Sequence, residues 1–292
     1  MSEDQVEVAV ITLPKENQRA LSVEEIIEIA DEEEYRQVRD RFIEAKLADF
    51  KDTTKAKEFS VHSPPYKGFI HPDSEIKPIS LLDGFKLDDT NIYSRLIDNV
   101  RAFKRDFRWK SKSIREINPY AVLKTLGEYF GNYTADEGLE GRHHSYYMDH
   151  SSADSEALPL VELKGKGLAM CTEKAAAAQN LVTLLGYDSE LCLSQGCQLI
   201  DGKEEMHAFN VINSDRGRFI FEPANPIILT DTEGNIVNFY PATYRITDEQ
   251  YAGLMSGGEV EIDHTDLRVS EGRYEKQGVE VRKYGGLGKI TP

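Results

Sequence analysis

The chain has 292 residues, 40% of them hydrophobic, enough to bury the core of one large domain or two modest ones. Its 51 acidic and 35 basic side chains leave a net charge of −16, which discourages non-specific binding to nucleic acid or to an anionic membrane. No stretch approaches about 18 consecutive apolar residues. Met1–Pro14 lacks the pattern of a secretory signal, and three cysteines are too few for a disulfide scaffold, so the expectation is a soluble, cytoplasmic protein.

In chain order, Ser22 with Glu25 forms a capping-box pattern. Ile26, Ile27, Ala30, Tyr35, Val38, Phe42, Ala45 and Leu47 then recur at helical spacing, predicting one helix to about Phe50. The first 60 residues hold 16 acidic and 9 basic side chains and read as an acidic helical extension. Lys51–Gly84 carries Pro64, Pro65, Pro72 and Pro78 and reads as a connector. A second helix is expected from Asp89 to about Trp109, with Ile92, Leu96, Val100, Phe103 and Phe107 on one stripe. A third is expected from Pro119, at its first position, to Phe130, with Gly131 just past its end. Asn132–Leu158 is polar and reads as a long surface loop.

After Leu160 the pattern changes. A strand-like Val161–Leu163 precedes Lys164-Gly165-Lys166-Gly167, and a helix rich in alanine then runs from Cys171 to Leu185, stopped by Gly186. Strands are expected at Ser189–Gln195, Gln198–Ile200, Met206–Ile212 and Arg218–Glu222, with turns at Asp201-Gly202 and Asn213–Gly217. An alternating stretch covers Ile227–Phe239, and Val260–Ile262 and Val279–Val281 read as an appended hairpin. The domain reading is therefore an extension over 1–60, a catalytic domain over 61–245 and a β-rich extension over 246–292.

Cys171 opens its helix, where unpaired backbone N–H groups and the positive end of the helix dipole favour a thiolate, the nucleophilic form of cysteine. Gly165, Gly167 and Ala169 leave room for an acyl group, and the N–H of Cys171 is placed to hold a developing oxyanion. Taken alone, such a cysteine is more often a packed core residue. His207, on the strand Met206–Ile212, shifts that balance, because imidazole is suited to moving a proton near neutral pH. If that strand pairs with Arg218–Glu222, Glu222 lies near the position facing His207, where a carboxylate would hold the tautomer of the imidazole. A register slip of one residue would turn Glu222 to the other face, and Asn225 is the alternative orienting residue.

The sequence Gly167-x-x-x-Cys171-x-x-x-Ala-Ala, a helix closing on Gly186, a His-Ala-Phe strand and then Phe-Glu-Pro resembles the core of the transglutaminase-like superfamily over about residues 163–226. That resemblance implies an α+β, papain-like core with helices packed on an antiparallel sheet; the N-terminal helical extension lies outside it. It also implies Cys171 as nucleophile, His207 as base and Glu222 as the orienting acid; no cofactor and no metal are expected. The family usually has Asp where Glu222 stands, and often Trp where Phe209 follows the His-Ala pair.

Other features have plainer readings. His143, His144, Asp149, His150 and Asp154 share the polar loop as incidental residues rather than metal ligands, although that loop is also a candidate lid or rim over the cysteine. Cys192 suits strand packing and Cys197 a turn. The basic and aromatic run Arg101–Arg115 reads as a helix with core-facing rings and charges turned to water or to the acidic N-terminal helix, not as a nucleic-acid surface. The leading expectation is cysteine-dependent acyl transfer on a peptide or protein substrate, with hydrolysis (protease, amidase or deamidase) ahead of crosslinking to an amine. The alternatives are a non-catalytic binding module on the same fold and an acetyltransferase with a Cys-His-Asp triad.

Overall fold

The computed structural model describes residues 21–52, 85–86, 91–131, 138–150, 158–198, 204–230, 236–256, 260–263 and 281–284. It is an α+β structure with seven α-helices and one four-stranded antiparallel sheet among those residues. The helices are α1 (Val23–Ile27), α2 (Glu32–Asp52), α3 (Asn91–Arg105), α4 (Ile114–Phe130), α5 (Leu139–His150), α6 (Cys171–Leu184) and α7 (Asp248–Met255). The sheet runs in sequence order: β3 (Asp188–Gln198), β4 (Glu204–Ser214), β5 (Gly217–Thr230) and β6 (Ile236–Ile246). Two small pairs complete it, β1 (Phe85–Lys86) parallel to β2 (Leu158–Pro159), and β7 (Val260–Asp263) antiparallel to β8 (Val281–Tyr284).

The single N-terminal helix expected from Ser22 is broken in two. Ser22 and Glu25 do close the capping box of α1, but Glu28 ends that helix. The side chain of Asp31 then accepts the N–H of Glu34 at 2.8 Å, and α2 starts again from there. α3 ends at Arg105, and Phe107, expected on its apolar stripe, is 91% exposed. α4 starts at Ile114 rather than Pro119, because Ser113 and Glu116 form a second capping box; Pro119 lies inside the helix. The segment expected to be a surface loop contains α5, and the strand-like Val161–Leu163 belongs to a 3-10 turn, Leu160–Leu163.

In the sheet, the expected strand Ser189–Gln195 and the first residue of the one expected at Gln198–Ile200 lie on one strand, β3, whose pairing shifts register between Ser194 and Cys197; residues 199 and 200 fall outside the described residues. Cys197, expected in a turn, lies on that strand opposite Glu205. The stretch Ile227–Phe239 is divided between the end of β5 and the start of β6. Pairing between these strands lapses from Glu222 to Ile227. Pro223 and Pro226 lie inside that gap, and each removes a backbone donor from the ladder. Most of the expected connector, residues 53–84, and the turn Asp201-Gly202 fall outside the described residues.

Two cores result. The larger joins α1 through α6 and is closed on the sheet side by Phe221; the smaller gathers Cys192, Phe209, Val211, Ile220, Ala242 and Tyr244 with Leu254 of α7 and Val260 of β7. The N-terminal helices share the larger core through Val23, Ile26, Ile27, Tyr35 and Ile43. The basic run on α3 is tied to them. Arg101 is buried, bonds Glu32 at 2.8 Å and the carbonyl of Ile29 at 2.7 Å, and stacks over the ring of Tyr35. Phe103, Trp109 and Tyr120 pack edge to face. α6 is fastened to the sheet by polar contacts. Asn210 of β4 donates to the carbonyl of Ala175 at 3.1 Å and to Gln179 at 3.2 Å, and Ser189 of β3 donates to Gln179 at 2.9 Å.

Candidate active site

The approach to Cys171 is anchored before α6 begins. Gly165 donates its N–H to the carbonyl of Tyr129 at 3.1 Å, and Gly167 to that of Phe130 at 3.2 Å. Carbonyls at the C-terminal end of a helix have no partner inside the helix, so the segment leading to the cysteine supplies the partners that α4 lacks. Both glycines adopt left-handed backbone, with φ of +68° and +64°. A Cβ at Gly167 would meet nothing within 4 Å, so the cost of a side chain there is one of backbone conformation alone. Gly167→Ala should lower stability by about 1–2 kcal/mol, read as a shift in the urea midpoint without a change in slope.

Cys171 is the first residue of α6 and is half-buried. Its N–H belongs to the set that finds no acceptor within the helix. In place of a Ser or Thr cap, the carboxylate of Glu173 reaches back and accepts the N–H of Met170 at 2.9 Å. Burial pushes the Cys171 thiol up. A hydrogen bond from His207, the positive charge of that imidazole and the backbone N–H of Ala208 together outweigh burial, and the thiol lies below its ordinary range. Glu173 opposes this shift.

His207 and Glu222 are buried, at 4% and 0% exposure, and the imidazole Nε2 donates to Glu222 Oε2 at 2.5 Å. The amide of Asn225 is 3.5 Å from the same nitrogen. With Nε2 committed to Glu222, Nδ1 is the nitrogen left for Cys171. Desolvation lowers the basicity of the imidazole, but the charge of Glu222 and the bonds to Cys171 and Glu222 prevail and raise it. A lowered thiol facing a raised imidazole is the electrostatic signature of a thiolate–imidazolium pair.

The register explains how the carboxylate arrives there. β4 and β5 pair from Ser214↔Gly217 to Asn210↔Phe221. Continued one step, this sets Glu222 opposite Phe209 rather than opposite His207. Residues two apart on a strand share a face, so Glu222 and His207 are diagonal neighbours on one face. Their side chains close the remaining distance. Three interruptions surround them: the β3 register shift just beyond Ser194, the partner of His207; the end of β4–β5 pairing at Asn210; and the lapse in β5–β6 pairing after Glu222. Such irregularities re-aim side chains at strand ends, and here they bracket the His–Glu pair.

The three residues singled out in the sequence are thus brought together: His207 is hydrogen-bonded to Glu222, with Asn225 at its edge, and its imidazole acts on the Cys171 thiol. Two further groups lie outside the sequence expectation. One is the backbone N–H of Ala208 beside Cys171. The other is a second buried pair, in which His143 Nε2 donates to Glu173 Oε1 at 2.9 Å. His143, expected to be an incidental loop residue, is 2% exposed and lies on α5. Asp154 lies outside the described residues. Among those that are described, no three His, Cys, Asp or Glu residues gather as metal ligands, and no helix is long and apolar enough to cross a membrane. Cys192 is fully buried on β3, and burial pushes its thiol well above the ordinary range. Comparison with protein-family models, with curated proteins and with solved structures finds no match for this chain.

Proposed function

We propose that this chain is a cysteine-dependent acyl-transfer enzyme of the transglutaminase-like kind, acting by hydrolysis on a peptide or amide. The observation that carries this reading is the series Cys171–His207–Glu222, in which a half-buried thiol at a helix start meets a buried, carboxylate-held imidazole. The order of these residues in the chain, and an α6 helix lying against an antiparallel sheet, agree with the resemblance noted over 163–226.

In the proposed reaction the Cys171 thiolate attacks the carbonyl carbon, and the oxyanion forms next to the N–H of Cys171. His207 gives its proton to the leaving nitrogen as the C–N bond breaks, leaving a thioester. Water then attacks the thioester while His207 takes its proton. Breaking of the C–S bond releases the acid and restores the thiolate. Glu222 holds the imidazole and stabilises its charged form throughout.

The directions of the two shifts set the pH dependence. Activity should fall on the acid side as the depressed Cys171 thiol is protonated, and on the basic side as the raised His207 loses the proton its leaving group needs. A plateau between those limits, wider than an uncoupled thiol and imidazole would give, is the expected profile of kcat/KM. The test is to expose the full chain to a peptide library with and without a primary amine, and to compare it with Cys171→Ala. Cleavage or deamidation that disappears in the variant supports hydrolysis, whereas incorporation of the amine in place of water would make the enzyme a crosslinking one. A wild-type Cys171 that iodoacetamide labels no faster than an ordinary thiol would overturn the reading.

A further inference from the structure

Two buried acid–imidazole pairs meet the first turn of α6, and the proposed chemistry uses only one of them. His143 of α5 and Glu173 of α6 are 2% and 0% exposed, and they are joined at 2.9 Å. Glu173 divides its oxygens: Oε1 accepts from His143 and Oε2 from the N–H of Met170, the residue immediately before Cys171. A carboxylate at that place has opposite effects on its surroundings. It favours the helix, whose N-terminal end is positive, but it disfavours a thiolate two residues away.

We propose that His143 and Glu173 are positioning residues of the cysteine site: α5 reaches over the first turn of α6 and ties up the capping carboxylate, so that it holds Cys171 in place without suppressing its thiolate. This rests on the reading of Cys171 as an activated nucleophile. Among the described residues, charged and titratable groups approach it from its own helix, from the sheet and from α5. Cys171 faces Glu173 and Lys174 of its own helix and His207, with Glu222 behind, from the sheet. Glu173 faces His143 and Lys174, and the latter is buried and held down to about 8 by desolvation, against the pull of Glu173 and Cys171. One turn along α5, Tyr146 donates to Glu162 at 2.8 Å, with Lys166 over its ring. His143 reaches the Glu173 carboxylate from a different element and bonds the oxygen that does not accept from Met170.

The experiment is the pH profile of Cys171 alkylation by iodoacetamide, measured on the full chain in four forms: wild type, His143→Ala, Glu173→Gln and the double variant. His143→Ala should move the acid limb to higher pH and slow labelling at pH 6 by roughly 3- to 10-fold. Glu173→Gln removes the opposing charge, while its amide oxygen can still accept from Met170, so its acid limb should move to lower pH. The double variant should recover most of the labelling lost in His143→Ala, because there is no longer a carboxylate to tie. A purely structural role predicts instead that the double variant is worse than either single one, and that result overturns the inference. So does a Glu173→Gln profile that moves upward or stays in place, an outcome that does not depend on His143→Ala folding. A fast-labelling wild-type Cys171 combined with unmoved variants removes this inference alone, whereas a slow wild-type Cys171 removes the acyl-transfer reading as well.

Discussion

His207→Ala should slow the alkylation of Cys171 by iodoacetamide at pH 6 on the order of 10-fold or more, and this is the largest effect expected from a single change at the site. An ordinary thiol, with a pKa near 8.5, is only about 0.3% ionised at pH 6. Full ionisation would therefore raise the reactive fraction by roughly 300-fold, and the weaker intrinsic nucleophilicity of a more acidic thiolate takes back part of that gain. In the variant the thiol keeps the burial that pushes it up and loses the bond and charge that pull it down. Cys192 provides the internal control: fully buried, with a thiol pushed upward, it should stay unlabelled in both proteins while the fold is intact. Equal labelling of Cys171 in wild type and variant, with Cys192 silent, would show that the imidazole does not activate the thiol.

Phe221→Ala should cost about 3–5 kcal/mol of stability, the range for removing a fully buried aromatic side chain. Phe221 is 0% exposed and is the sheet residue that closes the large helical core. Phe221 is the residue before Glu222 on β5 and points to the opposite face, so the cavity would open on the helical side of the strand that carries the orienting carboxylate. Chemical denaturation would measure the loss, with Phe107→Ala as the contrast. Phe107 is 91% exposed and should change stability by no more than about 0.5 kcal/mol. Comparable losses at the two positions would mean that Phe221 is not the keystone its burial implies.

The part of the chain most legible in sequence was the part with strong local chemistry. The alanine-rich α6 with its glycine stop, and the hairpin of β4 and β5, announced themselves through helix propensity, alternation and a Gly217 turn. The site residues followed from these elements, but their exact opposition did not, since a diagonal pair and a direct pair differ by two residues in register and look alike in sequence. α5 was missed for a specific reason. Its buried stripe is Leu139, His143 and Tyr146, at i, i+4 and i+7, and a polar residue at the centre hides the periodicity. Counting that histidine as a core residue restores the helical spacing of α5; its partner Glu173, 30 residues on, leaves no mark in the sequence. The break between α1 and α2 was hidden in the opposite way: the apolar spacing continues across it, and a single capping aspartate, Asp31, marks the interruption. β5 runs through two prolines that ordinarily argue against a strand, which is tolerated because pairing lapses there.

The glycine stitches between α4 and the segment before Cys171 carry a mechanical consequence. They reference the thiol to the helical layer, while His207 and Glu222 are referenced to the sheet. The contact between Cys171 and His207 therefore acts as a gauge of the spacing between two layers. Any ligand or partner that wedges the helices from the sheet would part the thiol from its base before it disturbed either layer internally, and reactivity at Cys171 would report that separation ahead of any loss of secondary structure.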